Sequence, residues 1–407
     1  MSGVVAVLGI GEDGLAGLSQ TAREILDTAT VIAGAKRHLA MLPDDDTRER
    51  RAWSKDLVGD ISKLGEAATS ETICVLASGD PLCHGIAIRM IDVLGKGAVR
   101  VIPHPGAFSL AAAHMGWSLS DPMLRTISVH ALPLAALRRA IQPEVKLLIL
   151  SRNGSSPKDI CETLKDMGYS NSPVTVLERI GGDNEARADA LAKDGFKQDF
   201  DNLNTVAVSC VLDDGVSALS RAPGLPDDAF DHDGTITKRE VRAVTLAALA
   251  PKPGEVLWDV GAGNGTIAIE WLRVEPAARA VAVEHDAERL ERIRINADNL
   301  GVPELEVVAG MFPDALTDIA NPPDAIFIGG GISEDTDVLT TAYDSLKPGG
   351  RLVANAVSIE AQGHLMTVAR VLGGELVRTG ISQAAPLGRL TAMKHAIDVL
   401  QWRVVKS

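Results

Sequence analysis

Short apolar runs, each halted by Gly, Pro, Asp or Asn, recur along the chain and alternate with amphipathic stretches. "VVAVLGI" reads as a strand, and "SQTAREILDTATVIAG" as a helix running into a second strand. "TICVLASGDP", "AVRVIPHPG", "VKLLILSRNG" and "TVAVSCVLDD" follow as further apolar runs. Strands so punctuated and separated by helices predict a largely parallel α/β domain over residues 1–222. The stretch 220–240, "SRAPGLPDDAFDHDGTITKRE", has no apolar period and is rich in Pro, Gly and Asp, so residues 223–235 are expected to form a linker. The rhythm then restarts with helix "KREVRAVTLAALA", strand "GEVLWDV", strand "RAVAVEHD", helix "AERLERIRINADNLG", and strands "LEVVAG", "PDAIFIGG" and "GRLVANAV". "KHAIDVLQWRVVK" reads as a last strand. No internal repeat links the halves, which predicts a fusion of two different α/β domains, the second spanning residues 236–407.

Composition narrows this picture. Of the 407 residues 46% are hydrophobic and only 3% aromatic, so the cores are aliphatic, as suits strands buried on both faces. A formal charge of −14 argues against a nucleic-acid coat, which needs a basic face, but not against an anionic small molecule gripped by a few arginines. Cys74, Cys83, Cys161 and Cys210 are scattered without metal-ligand or disulfide spacing and read as thiols in a reducing cytosol. The N-terminus lacks a basic leader and no run of about 18 apolar residues occurs. The expectation is a soluble cytoplasmic protein with no bound metal and no membrane partner.

The most informative stretch is "LWDVGAGNGTIAIEWL", residues 257–272, where an apolar strand meets Gly261, Gly263 and Gly265 and a helix begins. A dinucleotide loop would have the spacing G-x-G-x-x-G around a pyrophosphate; here the pattern is G-x-G-x-G, followed by Thr266. Asp259, just before the first glycine, would repel a pyrophosphate but suits a ligand bearing an ammonium group. Glu284, ending the next strand, is placed to accept from two ribose hydroxyls. Together these favour S-adenosylmethionine (SAM) over NAD and over a purely structural turn. A second loop, "VLGIGEDG", formally fits G-x-G-x-x-G, yet no acidic strand end follows about twenty residues on, so it is not read as a dinucleotide site.

"GTITKREVRAVTLAALAPKPGEVLWDVGAGNGTIAIEW", with "VVAGMFPDAL", "PDAIFIGGG" and "LKPGGRLVANAVSIE" in the same order, resembles the decarboxylating methyltransferase domain of cobalamin biosynthesis. In the first half, "ASGDPLCHGIA" and "VIPHPGAFSLAAAHMGW" are similar to the signatures of the tetrapyrrole methylases. These resemblances imply a two-lobed tetrapyrrole methylase domain followed by a Rossmann-like class I SAM-dependent methyltransferase domain. They also imply a precorrin substrate methylated at carbons 5 and 15 and decarboxylated at its ring-C acetate, the step from precorrin-6B to precorrin-8X, with two SAM consumed. By the same token Gly79, Asp80, Cys83, Phe108 and Ser109 would lie near SAM in the first domain, with Gly9 and Gly11 facing the macrocycle. In the second, Thr237, Asp259, Gly261, Gly263, Asn264, Gly265, Glu284, Gly310 and Met311 would surround SAM. Gly329, Gly330 and Gly331 would form a close-approach surface for substrate.

No strongly activated nucleophile is needed for transfer of a sulfonium methyl to an enamine-like carbon, and no Ser-His-Asp or Cys-His signature is read. Lys238, Arg239 and Arg242 are candidates for gripping substrate carboxylates, with a solvated helix face as the alternative. His84, His104 and His130 are candidates for lining the first domain's trough, with a structural role as the alternative for each, and His285 reads as a surface or adenine-edge residue rather than a catalyst. A SAM-dependent methyltransferase acting on another tetrapyrrole, or on RNA or protein, and a nucleotide sensor without catalysis, are the competing functions. The resemblance further implies a homo-oligomer assembled through the C-terminal domain, with the last strand offering an edge.

Overall fold

A computed structural model of the chain describes residues 3–130, 132–316, 322–330, 332 and 337–407. The chain divides into two compact units, Met1–Leu132 with Ile141–Val216, and Pro133–Ala140 with Ser217–Ser407.

The first unit carries two five-stranded sheets. Strands β1 (Val5–Ile10), β2 (Val31–Gly34), β3 (Glu49–Ala52), β4 (Ile73–Ser78) and β5 (Val99–Ile102) are all parallel in the order β3-β2-β4-β1-β5. Period-two alternation buries β1 on both faces: Val5 and Val7 join one apolar cluster, Leu8 and Ile10 another. Strands β6 (Leu124–Ser128), β7 (Lys146–Leu150), β8 (Pro173–Glu178), β9 (Ala186–Leu191) and β10 (Asn204–Ser209) form the second sheet, ordered β6-β7-β10-β8-β9. Only β6 and β7 pair in parallel there. The expectation of a largely parallel domain therefore fails for this lobe. The connection from β8 to β9 is too short for a crossover helix, so the two strands must return antiparallel.

The second unit is built on one seven-stranded sheet. Its strands are β11 (Val256–Val260), β12 (Arg279–Glu284), β13 (Glu306–Ala309), β14 (Ala325–Ile328), β15 (Arg351–Ala356) and β16 (Glu375–Thr379). A projecting hairpin of β17 (Ser382–Leu387) and β18 (Leu390–His395) precedes the last strand, β19 (Val399–Val405). The order is β13-β12-β11-β14-β15-β19-β16, so the direction of winding reverses between β11 and β14. Open α/β sheets bind ligands at the carboxyl ends of strands flanking such a reversal. The last strand is not an edge: β19 pairs antiparallel with β15 on one side and β16 on the other. Its buried Leu400, Trp402 and Val404 seat it inside the sheet, which removes it as an edge for subunit pairing.

Residues 223–235 are not a free linker. Leu225 and Phe230 are buried in the core with Leu246, Leu249 and Trp271. Arg242, fully buried in the helix Arg239–Leu249, holds the segment down. Its Nε donates to Glu270 at 2.8 Å, Nη1 to Asp227 at 2.8 Å, and its other donors reach the carbonyls of Thr237 and Leu225. The guanidinium also lies 4.9 Å from the Phe230 ring. Glu270, equally buried, accepts from the backbone N–H groups of Gly224 (2.6 Å) and Leu225 (3.0 Å). Arg242 is thus withdrawn from any substrate, because every face of its guanidinium is already engaged.

Removing one partner of a buried, hydrogen-bonded pair strands the other charge. Arg242→Met is expected to destabilise the second unit by about 3–5 kcal/mol. Lys238→Met, at an exposed residue 3.6 Å from Asp227, should change stability by less than about 1 kcal/mol. Urea denaturation of the full chain followed by tryptophan fluorescence measures both.

Candidate functional site

In the second unit the loop after β11 is stripped of side chains where the chain turns. Gly261, Gly263 and Gly265 have φ of +66°, +59° and +77°, a region costly for any residue with a Cβ. A Cβ on Gly265 would crowd Ile293 at 3.0 Å, whereas one on Gly263 would project into open space. Gly261 approaches Gly330, the second residue after β14: a Cβ built on it would stand 3.5 Å from the Gly330 nitrogen. Gly329 donates to the Val260 carbonyl at 3.3 Å, so these loops lie side by side at the reversal point. Gly331 lies outside the described residues.

Two buried carboxylates close the loop. Asp259 shares the face of β11 with Leu257, beneath the helix Thr266–Val274, and accepts from Ala268 N at 3.0 Å through Oδ2. Its Oδ1 is buried with no hydrogen-bond partner among the described residues. Burial, and the charge of nearby Glu284, push its carboxyl up to about 7. Glu284 accepts from the backbone N–H groups of Gly263 (2.9 Å), His285 (2.9 Å) and Asp286 (3.1 Å). Oε1 is thus occupied by two amides, with His285 Nδ1 also 3.1 Å away, and Oε2 by one, leaving room for one further donor on Oε2 rather than a pair of hydroxyls. Its backbone carbonyl accepts from Gly310 N at 2.9 Å, and Met311 beside it is largely exposed.

Asn264 is buried and donates to the Thr235 carbonyl at 2.8 Å. Asn296, a residue with no sequence signature, completes this clasp. Its amide donates to the carbonyls of Asp231 and Asn264 and accepts from Asp231 N at 2.7 Å. Thr237, Lys238 and Arg239 follow on the same segment, and Lys238 and Arg239 remain exposed.

In the first unit a cavity of about 1030 Å³ is lined by both lobes. The loops after β1, β4 and β5 meet backbone to backbone at its floor. Gly79 N donates to Ile10 O at 3.0 Å and His104 N to Gly79 O at 3.2 Å. A Cβ on Gly9 would collide with the Gly79 carbonyl, and one on Gly79 (φ +50°) would lie 2.7 Å from Gly106 Cα. Gly11, Gly79, Asp80, Cys83 and Phe108 line the cavity, as do His84 and His130. Gly9, Ser109 and His104 do not: Gly9 lies under the Gly79 strand end, Ser109 is solvent-exposed, and His104 is held by Asp13 at 3.4 Å. Asp80 Oδ1 accepts from Leu82 N at 2.9 Å, which shapes its own loop.

Most of the polar lining escaped the sequence reading. Glu12, Arg37, His38, Arg89, Arg152 and Arg179 come from separate loops and helices, and each alone reads as a solvated charge. His38 is buried with Nε2 3.1 Å from Ser78 Oγ. Burial, then the neighbouring Arg37 charge, push its imidazole down to about 4, so it is neutral at neutral pH.

Residues 4–194 match the model of the tetrapyrrole (corrin/porphyrin) methylases, and residues 228–406 that of the precorrin methyltransferase domain. A precorrin-6Y C(5,15)-methyltransferase [decarboxylating] from Sinorhizobium sp is 41% identical over 402 residues, 99% of this chain and 96% of that protein. Its namesake from Mycobacterium tuberculosis is 41% identical over 406 residues, 99% of this chain and all of the other. The chain belongs to the precorrin-6Y C(5,15)-methyltransferase (decarboxylating) family. A probable cobalt-precorrin-6B C(15)-methyltransferase (decarboxylating) from Saccharolobus solfataricus is 31% identical over 155 residues, covering 37% of this chain and 78% of that relative. The chain carries a two-lobed tetrapyrrole methylase fold followed by a Rossmann-like class I methyltransferase fold.

The buried His38 makes the first unit sensitive to acid. The unfolded chain takes up this proton near pH 6.5 and the folded chain resists until about 4, so the unfolded state holds more protons in that window. Stability should therefore fall as pH drops from 6.5 to 4, by up to about 1.4 kcal/mol per unit from this residue. As pH falls through that window wild type should lose stability relative to His38→Gln, and above it the difference between the two denaturation curves should be constant.

Proposed function

We propose that the chain methylates a precorrin macrocycle at carbons 5 and 15 and releases the ring-C acetate carboxyl as carbon dioxide, with one SAM site in each unit. The observation that carries the reading is end-to-end identity with the decarboxylating relatives, on a chain with two separate glycine-floored sites. When bound, SAM supplies a methyl group on a sulfonium, open to in-line displacement by an electron-rich carbon.

The residues' task is alignment, which can supply much of the rate. In the second unit the free oxygen of Asp259 fits an ammonium group, the remaining lone pair of Glu284 fits one ribose hydroxyl, and Gly263 leaves space beside them. Lys238 and Arg239, exposed at the head of the helix Arg239–Leu249, are the groups left to meet substrate carboxylates. In the first unit Gly79, Asp80, Cys83 and Phe108 take the donor side of the cavity. The division of labour we propose is supported by the Saccharolobus relative, named for methylation at C(15) with decarboxylation and matching 37% of this chain, and by the precorrin methyltransferase domain matching residues 228–406. We assign methylation at carbon 5 to the first unit, and methylation at carbon 15 with decarboxylation to the second. We place the enzyme in the cytoplasm and propose a homo-oligomer formed through the second unit. The exposed Leu387, Leu390, Met393 and Ile397 on and beside its hairpin replace β19 as the contact.

Calorimetric titration of the full chain should give two SAM per chain. An ammonium group beside Asp259 favours its ionised form, so affinity at the second site should rise with pH and level off above about 7, with a proton released at lower pH. Asp259→Asn should abolish that pH dependence. With substrate labelled in the ring-C acetate, Asp80→Ala should impair methylation at carbon 5 and spare release of labelled carbon dioxide. Glu284→Gln should lose that release. The opposite pattern would reverse the assignment of units.

A further inference from the structure

Within the first unit's cavity, Glu12 stands between two arginines that come from different lobes. Its Oε1 lies 3.2 Å from Arg37 Nη1 and its Oε2 3.5 Å from Arg179 Nη1. Both separations are long for charge-assisted hydrogen bonds, which typically lie at about 2.7–2.9 Å. Each arginine has in addition a tight anchor. Arg37 donates to Ser78 Oγ, and Arg179 meets Asp201 Oδ2 at 2.9 Å from Nε and 2.7 Å from Nη2. Asp201 is itself fixed by Leu203 N at 2.8 Å. Arg179 holds φ of +48°, a left-handed conformation that is costly for a residue with a side chain and collects at ligand-binding positions. Both arginine side chains are 41% exposed and line the cavity. The arrangement is two anchored cationic forks facing a cavity, loosely bridged by one carboxylate.

We propose that Arg37 and Arg179 form a binding subsite for a peripheral carboxylate of the macrocycle, and that Glu12 holds its place until substrate displaces it. This rests on the reading above that the unit methylates a precorrin, a substrate whose decarboxylation requires acid groups. A mobile carboxylate can approach both forks more closely than Glu12, which is tethered to the loop after β1. Exchanging one carboxylate for another also keeps the cavity's charge balanced, whereas two anions between the same forks would repel. SAM has a carboxylate too. The cavity volume, at the top of the range that accommodates one small ligand, favours a site that holds donor and macrocycle together.

The test uses the full chain with Glu12→Gln, Arg37→Gln, Arg179→Gln and Arg37→Lys. Uroporphyrin, an octa-acid tetrapyrrole, and its octamethyl ester serve as binding probes followed by fluorescence. KM and kcat for methylation at carbon 5 are measured in parallel. We expect the acid to bind and the ester not to. Glu12→Gln should tighten acid binding and lower KM several-fold, because the neutral amide yields its place more easily. Each Arg→Gln should weaken binding roughly ten- to a hundredfold, the range of a charge-assisted hydrogen bond, and Arg37→Lys should recover part of it. In the double Arg→Gln chain the effect of Glu12→Gln should disappear.

If Glu12→Gln weakens acid binding, Glu12 is a structural latch and the proposal is overturned. It is equally overturned if the ester binds as well as the acid. SAM titration of each variant should match wild type; a loss confined to the arginine variants would assign the subsite to the methyl donor instead. If wild type binds the acid selectively yet methylates no precorrin, the functional reading falls while the subsite stands.

Discussion

The buried pair of Arg242 and Glu270 is the joint on which the second unit's site depends. Two charges without solvent are tolerated because four guanidinium donations and both carboxylate oxygens are matched, down to the amides of Gly224 and Leu225. The pair presses an otherwise irregular segment onto the sheet. Asn296 and Asn264 then tie the segment's far end to the glycine loop. A loop bare enough to admit a ligand has few side chains to hold its own shape, and here its rigidity comes from neighbours.

The first unit solves the same problem differently. Backbone packs on backbone at Gly9, Gly79 and Gly106, so the floor of the cavity is shaped by what is missing at Cβ. The charged groups then sit on the loops and helices that follow the strands. Preorganisation of such groups by fixed partners, as Asp201 does for Arg179, lowers what must be ordered when a ligand arrives.

The legible part of the chain was the part written locally. Strand ends, glycine spacing, Asp259 and Glu284 lie within a few residues of the turns that expose them, so period and punctuation reveal them. The arginine cluster was illegible because Arg37, Arg152 and Arg179 meet only after two lobes fold. Arg242 was misread for a related reason: its partner Glu270 lies 28 positions on, and a basic residue at a helix start otherwise reads as solvated. The linker was misread because Pro, Gly and Asp hide the two apolar anchors, Leu225 and Phe230, that bury it. The antiparallel half of the first unit turned on loop length, which apolar rhythm does not encode.

The placement of β19 inside its sheet bears on the order of events during synthesis. Strand β16 leaves the ribosome before β19, yet its ladder partner is β19 and not the earlier β15. Until β19 inserts, β15 presents a row of unpaired backbone groups flanked by apolar side chains, and β16 remains tethered but unpaired. The nascent second unit therefore passes through a stage with an open, sticky sheet side, and closing it is the last topological act of folding.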